Sequence, residues 1–139
     1  MAQNNANTSM LQNFIVSKTV NSSQLFNEIH EINTILIPLL GIFSNDKRLL
    51  SKQIFDSLDT LLRHFIHAYQ ESNKDQKIKY IEEAEFELIM LGGYVQDAVK
   101  LRIPSITDHE AEINLHLGNI NYGFGNWKTS LKPDKQSKS

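Results

Sequence analysis

The chain has 139 residues, of which 40% are hydrophobic and 22% charged, with a formal net charge of −2. That length and balance suit one compact domain with a single core. With no cysteine, disulfides and thiolate metal sites are excluded, and the global charge gives no support to nucleic-acid binding beyond local basic patches.

Residues 1–21 read as a polar arm dominated by Asn, Gln, Ser and Thr. Such a stretch buries too little apolar surface to offset its ordering entropy. Met10 and Leu11 with Phe14, Ile15 and Val16 are the exception, and could dock on the helices that follow. That patch is too short for a signal-peptide core. No apolar run approaches the roughly 18–20 residues that span a bilayer. The expectation is a cytoplasmic protein without a membrane partner.

Four helical segments follow, in residues 22–128. In the first, about 22–43, Leu25, Ile29, Ile32, Leu36, Leu39 and Phe43 step by four and three along one face. Ile35, Ile37, Leu40 and Ile42 widen the apolar arc. Pro38 lies inside and is expected to bend the helix. In the second, about 46–71, Ser44, Asn45 and Asp46 offer caps, and Leu50, Ile54, Leu58, Leu61, Phe65 and Tyr69 form the stripe. In the third, about 76–102, the stripe is Ile81, Ala84, Leu88, Leu91, Val95 and Ala98. Gly92 and Gly93 inside it suggest close backbone approach or a kink, and Pro104 stops the helix. The fourth, about 107–127, opens with Thr107 and Glu110 in capping-box spacing. Ile113, Leu117, Ile120, Phe124 and Trp127 make its seam. Short connections predict an all-α, antiparallel up-down four-helix bundle. Residues 129–139 read as a Lys-rich disordered tail.

No pattern marks an enzyme, a cofactor or a metal. No histidine has Glu three residues before it, so the di-metal bundle signature is missing. His109 and Glu110 do not extend to a zinc-protease motif, because residue 113 is Ile. A metal-binding bundle would need His64, His67, Glu112 or His116 to converge. The acidic run Glu82, Glu83, Glu85 and Glu87 reads as a solvated face.

Basic residues cluster at helix ends. Lys47, Arg48 and Lys52 start the second helix, and Lys100 and Arg102 end the third. An antiparallel hairpin would bring the two groups to one end, where phosphate could be met. These five are the candidate nucleic-acid-binding residues. The first two helices also carry more apolar surface than the roughly three residues in seven that a bundle helix needs. Self-association is the simplest cover for the excess.

Certain residues form an ordered set. Ile37, Pro38 and Leu39 precede Phe43 and then Asp46, Lys47 and Arg48. Leu58, Leu61, Leu62, Phe65, Ile66 and Ala68 follow, then Ala84, Leu88, Leu91 and Asp97. Residues 103–107 connect to the last helix, closed by Gly125, Asn126 and Trp127. Over about residues 25–130 this set resembles the accessory variability determinant (Avd) proteins of diversity-generating retroelements. They belong to a wider set of bacterial four-helix bundle proteins that includes those encoded in ribosomal RNA intervening sequences. The resemblance implies a non-catalytic subunit of a pentameric barrel with a basic surface. It would bind the element's reverse transcriptase and structured RNA during mutagenic copying. Where the family often shows Arg on the third helix, this chain holds Ile89 and Gly93, and Asn121 and Tyr122 replace a Gly-Arg pair. The alternative is an oligomeric protein-only adaptor or scaffold.

Overall fold

The structure, a computed structural model, describes residues 22–132, so the arm of residues 1–21 and the tail beyond residue 132 lie outside the described residues. Every regular element among the described residues is helical. Helix α1 spans Ser22–Leu40, and a 3-10 turn at Asn45–Lys47 leads into α2, Arg48–Gln70. Helix α3 spans Lys74–Lys100, the single-turn α4 spans Pro104–Thr107, and α5 spans Glu110–Leu131. No described helix is long and apolar enough to cross a membrane.

All four long helices contribute to one core. Helix α1 buries Leu25, Ile29, Ile32, Leu36 and Leu40. Helix α2 adds Leu50, Ile54, Leu58, Leu61 and Phe65, and α3 adds Ile81, Ala84, Leu88, Leu91, Val95 and Ala98. Ile113, Ile120, Phe124 and Trp127 come from α5, while Leu117 is only partly buried. Each set recurs at three- and four-residue steps, so one face of each helix meets the others. Phe43 is buried as expected, yet α1 stops at Leu40. The Ile42 and Phe43 N–H groups donate to Leu39 and Leu40 carbonyls three residues back, which tightens and closes the helix. Pro38 lies inside α1, as expected, in its last turn.

Polar groups fix the helix ends. Asn73 caps α3 by accepting from the Gln76 N–H at 3.0 Å. Buried Ser51 donates to the Leu40 carbonyl at 3.1 Å, and Ser105 reaches the Leu39 carbonyl at 3.5 Å. The end of α1 therefore meets the start of α2 and the α3–α5 connection. At the other end, the Phe26 and Phe65 rings lie 5.9 Å apart, and Phe65 and Trp127 lie 5.7 Å apart. Lys77 Nζ stands 5.6 Å from the Trp127 ring.

Two local expectations are corrected. A Cβ built on Gly92 or Gly93 would meet nothing within 4 Å, so no neighbouring backbone approaches there. The capping box at Thr107 does not form, because residues 104–107 make their own turn. The Thr107 hydroxyl donates to the Pro104 carbonyl at 3.2 Å, and α5 starts after His109, whose side chain gives it no cap bond.

The end of α3 is unusual in chemistry. The Ile103 N–H donates to the Ala98 carbonyl and the Arg102 N–H to the Val99 carbonyl. These paired bonds define a Schellman motif, whose left-handed position normally carries glycine. Here it carries Arg102, at φ 58°.

Candidate functional site

The five candidate cations divide by environment. Lys47 lies in the 3-10 turn and pairs with Asp46 at 2.7 Å. That Lys47 bond, helped by the Ser44 hydroxyl, holds the Asp46 carboxyl down at about 2. Arg48 Nη2 donates to Asn45 Oδ1 at 2.9 Å. Lys52 pairs with Asp56 one turn along α2, at 2.8 Å. Each of these three already has a partner from its own segment. Lys100 and Arg102 are exposed at the end of α3. The hydrogen bonds from Ser51 and Ser105 to the last carbonyls of α1 put all five at one end of the molecule.

The sequence pattern drew attention to apolar excess on the first two helices. There Ile35, Leu39 and Leu62 pack against the core, while Phe26, Ile37, Leu49, Phe55 and Tyr69 stay exposed. A second patch lies on α3. Phe86 is 62% exposed and Ile89 69%, with Met90 and Gly93 beside them. At 100° per residue Phe86 and Met90 lie roughly 160° from the stripe of Ile81, Leu88 and Val95, and Ile89 lies on its flank, roughly 100° from it. The core is complete without them. The spacing was present in the sequence but was masked by the acidic residues between the apolar ones.

The acidic run is not a uniformly solvated face. Glu87 accepts from the buried Ser57 hydroxyl at 2.6 Å, tying α3 to α2. Glu85 and Glu82 take Lys128 of α5, at 2.7 and 3.7 Å. The Glu85 bond raises the Lys128 ammonium above its ordinary value. Glu83 lies 3.6 Å from His64 Nδ1. Phe86, His64 and the carboxylates border an open depression of about 590 Å³.

The histidines are dispersed. The His67 ring lies 5.3 Å from that of Tyr80, tilted against it at 53°. His116 does not pair with Glu112 on its own helix. Its Nδ1 lies 2.7 Å from Glu28 Oε1 of α1, in a part-buried pair to which Asn119 adds a bond at 3.4 Å. The Glu28 bond raises His116 above the usual histidine value against the opposing effect of burial. Among the described residues no three His, Asp or Glu side chains gather as a metal site. No family model matches the chain, and neither does any curated protein or solved structure.

Proposed function

We propose that the chain is a non-catalytic binding subunit, an Avd-like antiparallel four-helix bundle. It assembles with copies of itself, as a pentamer, and serves as accessory to a reverse transcriptase and its structured RNA. The observation that carries the binding role is the set of large apolar side chains left exposed on α1, α2 and α3 outside a finished core. Exposed apolar patches of this kind mark protein contact. The partner's identity rests on the ordered residues that resemble Avd proteins. Contact with RNA phosphate falls to the end bearing Lys47, Arg48, Lys52, Lys100 and Arg102.

A protein-only adaptor is the second reading. Its support is specific: Lys47, Arg48 and Lys52 are engaged within their own chain, and Ile89 and Gly93 stand where the family often shows arginine.

Native mass and the 260/280 nm absorbance ratio of the purified 15.9 kDa chain test the proposal. A five-chain species with RNase-sensitive absorbance is the expected result. Lys47→Glu with Arg48→Glu then strips the RNA and leaves the number of assembled chains unchanged. A nucleic-acid-free oligomer selects the adaptor, and a monomer overturns the assembly.

A further inference from the structure

Between the first turns of α1 and the last turns of α2 lies a groove of about 420 Å³. Phe26, Phe65, Ile66 and Tyr69 form its apolar wall, and Ser22, Ser23 and Asn27 its rim. Phe26, Ile66 and Tyr69 are exposed along it. No lining residue carries a charge.

We infer that residues 10–16 of the same chain occupy this groove and cover that end of the α1–α2 face. Three observations select this occupant. The segment contains Met10, Leu11, Phe14, Ile15 and Val16 and no charged residue, so its chemistry matches the wall. Five residues separate Val16 from Ser22, and Ser22 is itself part of the rim. Extended, those five span up to roughly 17 Å, enough to lay Val16 across Phe26 and Tyr69. The tether also makes the segment's effective concentration about millimolar. A second copy of the chain, at ordinary protein concentration, competes poorly against that. The inference does not depend on which partner the subunit serves.

The cysteine-free chain allows a direct test. The full chain carrying Gln12→Cys and Gln70→Cys is treated with a short bis-maleimide, and products are resolved by mass. Neither position is a groove wall. The expected product is a single chain cross-linked within itself. It should form at least tenfold faster than in the same pair with Phe14→Asp and Ile15→Asp, at unchanged helical circular dichroism. Equal rates would mean that tethering alone brings the cysteines together, and would overturn the inference. Cross-linked dimers as the main product would assign the groove to a second copy and overturn it as well.

Discussion

Arg102 shows how one residue can weigh against its own fold. The left-handed conformation costs a residue with a Cβ about 1 kcal/mol relative to glycine, yet the two Schellman bonds require it. Arg102→Gly should therefore stabilise the protein by about 1 kcal/mol, which raises Tm by about 4 °C. The same change removes a cation from the basic end, so RNA retention should fall as stability rises. Glycine that stabilises without altering retention would remove Arg102 from the phosphate surface. His116 gives a pH-dependent counterpart. Its folded value is raised, chiefly by Glu28. The pair's contribution to stability is therefore fully present below the ordinary histidine value of 6.5 and is lost as pH climbs through the raised one. Urea midpoints of the natural chain and His116→Gln should differ most on the acid side of that window and converge on the alkaline side. A gap that is constant with pH would mean that the Glu28 contact does not depend on the proton.

At the scale of the helix, the repeating apolar residues were legible and the ends were not. The seam of Leu50, Ile54, Leu58, Leu61 and Phe65 is buried, as are Ile81, Ala84, Leu88, Leu91, Val95 and Ala98, because periodicity dictates a buried face, whereas Tyr69, expected on the same stripe, stays exposed at the end of α2. Ends depend on which carbonyl takes which N–H. Nothing in the residue type of Arg102 announces a glycine-like turn, and the spacing of Thr107 and Glu110 does not reveal the separate turn at Pro104. The basic end could be anticipated from sequence, but not that Asp46, Asn45 and Asp56 would engage three of its cations. Of the two readings of Gly92 and Gly93, close approach or a kink, the first is excluded, because the space around them is open. Gly92→Ala and Gly93→Ala should each stabilise α3 by about 1 kcal/mol, since alanine is the better helix former and meets no obstacle. Thermal melts of the single variants check this. A loss at Gly93 alone would point to a close neighbour supplied by another chain.

For the whole molecule, the outward patch of α3 and the exposed side chains of α1 and α2 lie on different faces of one core. If the α3 patch is a subunit contact, Phe86→Asp with Ile89→Asp should reduce the native mass to that of one chain. Far-ultraviolet circular dichroism should be preserved, because both side chains lie outside the core. An unchanged assembly would assign that patch to a different protein and leave α1 and α2 to hold the subunits together. The aromatic end of the molecule has an optical consequence. Trp127 is the chain's one indole, shielded from solvent and set against the Phe65 ring and the Lys77 ammonium. Its emission is therefore a label-free gauge of that end alone. Loosening there shifts its colour toward the red, while events at the basic end leave it unchanged.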